Sequence, residues 1–95
     1  MARLIEKLAG KDVFIRTLTG HYLGHVAKVA EDGLVLDKCS WVVIPERRDG
    51  KFIREGVSER DEREYYGDGV YVASGPIVTC HVWPHGLPTT DSPAE

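Results

Sequence analysis

The sequence predicts a small, mainly β protein: a short N-terminal helix followed by a strongly bent five-stranded small barrel. Three observations support this fold class. Three apolar runs, at residues 13–18, 22–29 and 34–44, are separated only by short segments that can reverse the chain. Gly24 lies in the middle of the second run, where a strongly curved sheet would account for a glycine. Two further short apolar runs follow a highly charged segment, and with them the predicted strands number five.

Composition restricts the class of protein. A chain of 95 residues is long enough for one hydrophobic core, and 42% hydrophobic and 28% charged residues are ordinary for a globular domain. The formal net charge of −3 argues against a general phosphate binder, because non-specific affinity for nucleic acid comes mainly from Lys and Arg. The apolar runs are shorter than a membrane-spanning helix, and the N-terminus lacks a signal-peptide core. We therefore expect a cytoplasmic protein that does not contact a membrane.

The N-terminal residues 2–9 predict a short amphipathic helix. Leu4, Ile5 and Leu8 recur at helical spacing, and Gly10 follows where a helix would end. Eight residues are too few for a helix that is stable by itself, so we expect it to dock on an open end of the sheet.

The third apolar run, residues 34–44, is longer than a typical strand and is interrupted by Asp37, Lys38 and Ser40. A strand of this length in a small domain usually bends through a bulge. We therefore expect it to contribute to both halves of the barrel.

Residues 46–68 are rich in charge, with six Lys or Arg and eight Asp or Glu. We interpret them as a long charged variable loop; the alternative is a pair of strand extensions that meet at residues 48–51, where Asp49-Gly50 favours a tight turn. The loop is either a solvated surface or a contact site for another protein. Two short strands at 70–73 and 77–83 follow, separated by a break that includes Pro76, and the domain is expected to span residues 1–83. Residues 84–95 are expected to form a flexible C-terminal tail.

This order of elements resembles the Sm/Lsm family, which includes the Hfq-type proteins and has an SH3-like barrel. The family's first motif is an apolar strand, a glycine turn, a glycine within the second strand, and an apolar triplet followed by an acid. Its second motif has only a partial match, without the basic residue. The matching residues are the strand 13–18, Gly20, Gly24, the triplet 34–36 with Asp37, and Ala73-Ser74-Gly75 followed by Ile77-Val78.

The resemblance implies a homo-oligomeric ring, with five to seven subunits expected, in which the fourth strand of one subunit pairs with the fifth strand of the next. Neither strand carries a Lys or Glu of the kind that guards exposed edges. The alternative is that these strands complete a core within one chain, with the helix or the tail covering the edge. The candidate interface residues are Tyr71, Val72, Ala73, Ile77, Val78 and Cys80.

The resemblance also implies binding of single-stranded RNA at the pore or face of the ring. The chain departs from the family pattern here, because the loop at residues 30–33 lacks an asparagine and carries two carboxylates, and Ser74 stands where a basic residue would be. Carboxylates repel phosphates unless they contact a base edge. Tyr22, Trp41 and Tyr65 could stack on bases, although packing is the commoner role of such side chains. The candidate RNA-binding positions are Asp32, Gly33, Ser74 and Gly75.

Metal binding and catalysis have little support in the sequence. The pairs His21 with His25 and His81 with His85 are each four residues apart, which on a strand is about 13 Å and too far for one metal ion. No phosphate loop, nucleophile elbow or metalloprotease motif is present. We therefore predict a non-enzymatic protein without a cofactor or metal, with a protein-interaction or assembly module that does not bind RNA as the alternative to an RNA-binding ring.

Overall fold

The structure, a computed structural model, describes residues 7–44, 49–58 and 61–91. These residues form six strands and one short helix. The elements are β1 (Asp12–Thr17), β2 (His21–Ala30), β3 (Gly33–Ile44), α1 (Asp49–Glu55), β4 (Glu62–Gly67), β5 (Val70–Ala73) and β6 (Ile77–Val82).

The six strands form one antiparallel sheet, in which five follow the order β4-β3-β2-β1-β6. β5 pairs with the first part of β3, and β4 pairs with the last part of β3. The prediction of a mainly β protein is confirmed. The predicted five-stranded closed barrel is not found, because the sheet has six strands and is open. β5 pairs with β3 and β6 pairs with β1, so these two consecutive strands lie at different edges and do not pair with each other.

β3 is long because it pairs with two strands along the same edge. Its first residues pair with β5 and its last residues pair with β4, as expected for a strand that contributes to two parts of the sheet. Lys38, between these parts, has a φ of 49°, a left-handed conformation that bends the strand. The bend is held by two hydrogen bonds, from the Lys38 amide to Asp68 Oδ1 and from the Gly69 amide to Asp37 Oδ1, both 3.0 Å.

Gly24 lies at an irregularity of the β2–β3 ladder, between Leu23 and His25. A Cβ atom at this position would lie 3.0 Å from the Cβ of Leu36, closer than almost all ordinary contacts. The glycine therefore permits close approach of β2 and β3 where the pairing shifts.

The sheet buries apolar side chains on both faces because alternate residues of β1 point in opposite directions. Val13 and Ile15 belong to one core, and Phe14 belongs to the other. The first core also contains Val26, Leu34, Leu36, Cys39 and Val72, and the second contains Leu23, Val42, Phe52 and Trp83.

The segment predicted as a long charged loop, residues 46–68, contains α1 and β4. The tight turn expected at Asp49-Gly50 is instead the first turn of α1. Phe52 is fully buried and packs 5.1 Å from the Phe14 ring and 5.2 Å from the Trp83 ring, measured between centroids. One aromatic side chain thus anchors a charged segment, and this tertiary contact outweighs the local preference for a turn.

Residues 1–6, which hold most of the predicted N-terminal helix, lie outside the described residues. Residues 7–10 form a turn, and Leu8 packs against the first core. At the other terminus, residues 84–91 have no helix or strand but are bound to the sheet, for example by the hydrogen bond from Ser40 Oγ to the Pro88 carbonyl (3.2 Å). In the part of the chain that the structure describes, no helix is long and apolar enough to cross a membrane.

Candidate functional site

The two strands predicted to form the interface, β5 and β6, each have one edge without a strand partner among the described residues. The predicted interface residues divide by exposure. Tyr71, Ala73 and Val78 are exposed, whereas Ile77 and Cys80 are half-buried and Val72 is in the core. Three of the six side chains are therefore available to a second molecule, and the other three support the strands from within.

The register shows which backbone groups of β5 face outward. The Ser74 amide donates to the Asp32 carbonyl at 2.8 Å, which makes this pair a hydrogen-bonded one. Hydrogen-bonded pairs alternate in an antiparallel ladder, so Val72 bonds to β3 and the polar groups of Tyr71 and Ala73 point away from it. The free edge of β5 thus offers the N–H and C=O groups of Tyr71 and Ala73.

The same reasoning applies to β6. The Trp83 amide donates to the Asp12 carbonyl at 2.8 Å, and the pairing continues through His81 opposite Phe14. Cys80 and Val82 therefore direct their backbone polar groups to the free edge. The Val82 side chain is 53% exposed and was not among the predicted interface residues. Val78, Cys80 and Val82 are every second residue of β6. This spacing, which places them on one face of a strand, was the signal that could have identified Val82.

The four predicted RNA-binding residues meet at one end of the sheet, where the turn between β2 and β3 contacts the turn between β5 and β6. Ser74 binds the Asp32 carbonyl through its amide and through Oγ, the latter at 3.1 Å. Gly33 is buried beneath β5, and Gly75 is exposed with open space around it. We call these four residues together with Tyr71 the loop cluster.

Tyr71 was not predicted at this site, and it fixes the geometry of the loop cluster. Its Oη donates a 2.7 Å hydrogen bond to Asp32 Oδ1. A Cβ atom on Gly33 would lie 2.6 Å from Cζ of the Tyr71 ring, so the ring lies directly against the glycine. The side chain is still 50% exposed, which leaves the rest of the ring available for contacts. The hydrogen bond to Asp32 raises the pKa of the Tyr71 phenol, with smaller contributions from burial and from the Asp32 charge.

The loop cluster carries negative charge. Glu31 and Asp32 are both exposed, and neither residues 30–33 nor residues 70–77 contain a Lys or Arg. Such a surface does not attract a phosphate backbone, so a nucleic acid would have to bind through stacking on Tyr71 and contacts to base edges.

The cysteine and histidine side chains do not form a reactive group among the described residues. Burial raises the pKa of Cys39 to about 12 and that of Cys80 to about 11, so both are protonated thiols at neutral pH. His25 Nδ1 lies 2.9 Å from Asp12 Oδ1 on the neighbouring strand, and a His85 ring nitrogen contacts the Ile53 carbonyl at 2.8 Å. Within residues 7–44, 49–58 and 61–91, no three His, Cys, Asp or Glu side chains are placed to hold a metal ion.

The aromatic side chains predicted as stacking candidates are all half-buried. The Tyr22 and Trp41 rings pack edge to face, with centroids 4.9 Å apart, and Tyr65 lies on β4, away from the loop cluster. Tyr71 is therefore the aromatic residue at the loop cluster. In comparisons with known proteins, no family model and no curated protein matches the chain.

Proposed function

We propose that this protein is a non-enzymatic, Sm-like assembly subunit of the cytoplasm, which forms a homo-oligomeric ring by pairing β5 of one copy with β6 of the next. The observation that carries the proposal is the pair of uncharged strand edges that have no strand partner within residues 7–44, 49–58 and 61–91. β5 and β6 contain no Lys, Arg, Asp, Glu or Pro, the residues that proteins use to block edge pairing.

Main-chain hydrogen bonding provides the attraction between copies. Tyr71 and Ala73 on β5, and Cys80 and Val82 on β6, direct their backbone N–H and C=O groups away from β3 and β1 respectively. Addition of a strand to such an edge is a recurring mode of protein association. Because the two edges of one chain differ, the contact is head-to-tail, and repeated head-to-tail contacts generate a ring when the rotation closes.

Apolar side chains add to this attraction. Tyr71, Val78 and Val82 are each about half exposed, at 50%, 52% and 53% respectively. Removing apolar surface from water contributes roughly 25 cal/mol per Å², so burial of these three side chains in a neighbouring copy favours association. The family resemblance supplies the expectation of five to seven copies.

RNA binding is a second candidate function, and the position of Tyr71 favours it. A rigid, half-exposed ring at the meeting point of two loops can stack on a base, and a ring of copies would present several of them. The carboxylates of Glu31 and Asp32 oppose it, because they repel the phosphates between stacked bases. We therefore place assembly first and RNA second.

The solution mass of the purified protein tests the assembly proposal. We expect several times the 10.6 kDa of one chain, and we expect Val78→Arg to shift the mass toward the monomer because it adds a charge to the β6 edge. The matched control is Ala27→Arg, an exposed position on β2, which is an interior strand and forms neither of the two proposed edges. A monomeric wild-type protein, or an oligomer that Val78→Arg leaves intact, would overturn the proposal.

RNA binding is tested separately with A-rich and U-rich single-stranded oligomers at low salt. If stacking carries the interaction, Tyr71→Ala abolishes binding, whereas Tyr66→Ala, an exposed tyrosine on β4, does not. The mass of each variant is measured alongside, so that lost binding is not confused with lost assembly. If the wild-type protein does not bind either oligomer, RNA binding is excluded and the function as an assembly module remains.

A further inference from the structure

The outer side of β4 is a third edge of the sheet that has no strand partner among the described residues. This strand ends the order β4-β3-β2-β1-β6 and pairs only with β3, where Tyr65 lies opposite Ser40. An uncovered edge of this kind presents backbone donors and acceptors with which another strand can pair. A closed ring uses two edges of each copy, and a third contact would join one ring to another.

The C-terminal tail reaches this edge and occupies it. Trp83 is buried in the second core and Leu87 packs against the same core, which ties the tail to one face of the sheet. The Ser40 hydroxyl donates to the Pro88 carbonyl at 3.2 Å. Asp91 is thereby brought to β4, where its Oδ1 accepts the Tyr65 amide at 2.8 Å. The Tyr65 amide, a backbone donor of β4, is therefore already hydrogen-bonded within the chain.

We propose that the tail, residues 84–91, closes the edge of β4 through Asp91 and thereby restricts association to the edges of β5 and β6. An incoming strand would have to displace the Asp91 carboxylate from the Tyr65 amide, and its own carbonyl oxygens would face that negative charge. Glu62 and Glu64, both exposed on β4, act in the same direction. The inference rests on the proposed function for the identity of the two open edges, whereas the closure of β4 is independent of it.

The test compares Asp91→Ala with Thr90→Ala, a neighbouring exposed residue, by sedimentation velocity over a wide range of protein concentrations. Neither substitution alters Trp83 or Leu87, so the tail remains anchored. We expect Asp91→Ala to form species of about twice the wild-type mass or more, because a newly opened edge joins whole assemblies in pairs. Thr90→Ala should keep the wild-type mass.

The double variant Val78→Arg with Asp91→Ala separates this inference from the proposed function. If β4 is the newly opened edge, the double variant still forms dimers although the β6 edge is blocked. A wild-type monomer that becomes a dimer in Asp91→Ala would defeat the ring and support the closure of β4. A mass in Asp91→Ala equal to that of the wild type at every concentration would overturn the inference, and so would an equal increase in Thr90→Ala.

Discussion

The phenol of Tyr71 donates a 2.7 Å hydrogen bond to the carboxylate of Asp32, a residue 39 positions earlier in the chain. The bond joins the turn after β2 to β5, and the ring of Tyr71 covers Gly33 between them. Because Tyr71 also lies on the side of β5 that has no strand partner among the described residues, the loop cluster is linked to the edge proposed for assembly. Substitution of Tyr71 or of Asp32 should therefore change both the loop cluster and the edge of β5.

Replacing Gly33 with alanine should destabilise the protein. The new Cβ atom would lie 2.5 Å from the backbone oxygen of Val72, which cannot move without shifting β5. We expect a loss of about 1 to 3 kcal/mol in the free energy of unfolding, the usual cost of overpacking a filled site. Urea denaturation measures it.

The control for this substitution is Gly75→Ala in the same loop cluster, where a Cβ atom would meet nothing within 4 Å. This variant should stay within about 0.5 kcal/mol of the wild type. Equal stability of the two variants would show that β5 does not lie over Gly33.

The pKa of Tyr71 should depend on Asp32. The hydrogen bond to the carboxylate raises the pKa of the phenol above its ordinary value of 10.0, so Asp32→Ala should lower it and Asp32→Asn, whose amide oxygen still accepts, should lower it less. Titration of the tyrosine ring signals by NMR distinguishes the three proteins. An unchanged Tyr71 titration in Asp32→Ala would contradict the contact.

The same contact predicts a direction for stability against pH. Because the pKa of Tyr71 is higher in the folded protein than in the unfolded chain, the folded state holds the proton more tightly. The resulting stabilisation is complete below pH 10 and is lost as the pH rises through the folded-state pKa. Asp32→Ala should therefore lose less stability than the wild type between neutral and strongly alkaline pH, as measured by thermal unfolding.

Phe52 should be essential for the attachment of α1. It is fully buried between Phe14 and Trp83 on a helix of only seven residues, which cannot be stable alone. We expect Phe52→Ala to cost about 3 to 5 kcal/mol, as for other large aromatic residues removed from cores. Arg54→Ala, at an exposed position of the same helix, should change stability by no more than about 0.5 kcal/mol. Similar denaturation midpoints for both variants would argue that α1 does not pack on the sheet.

The two cysteines should react slowly with iodoacetamide at neutral pH. The thiolate is the reactive form, and burial raises the pKa of Cys39 to about 12 and that of Cys80 to about 11. Cys80 is half-buried and should be labelled before Cys39, which is fully buried. Mass spectrometry of the alkylated peptides follows both sites, with the urea-unfolded protein as the reference. Labelling of Cys39 at its unfolded rate without denaturant would contradict the prediction.

The strand pattern was predictable because it depends on local alternation. Residues of β1, β2 and β3 alternate between two faces, and the turns at Gly20 and at residues 31–32 lie between them as expected. β4 was missed since its first three residues, Glu62, Arg63 and Glu64, are all charged, and its exposed face hides the alternation. α1 was missed because the burial of Phe52, a long-range contact, decides its position.

The order of residue types along the chain is enough to predict a mainly β domain with a bent, glycine-containing sheet and two uncharged strands near its C-terminus, because alternation of side chains and the placement of glycines are local properties. Long-range contacts set which strand edges lack a strand partner among the described residues. β5 pairs with β3 and β6 pairs with β1, and the Asp91 carboxylate accepts a hydrogen bond from the Tyr65 amide, 26 residues away. These relationships depend on contacts between distant residues, and the chain order of residue types does not encode them in any local pattern.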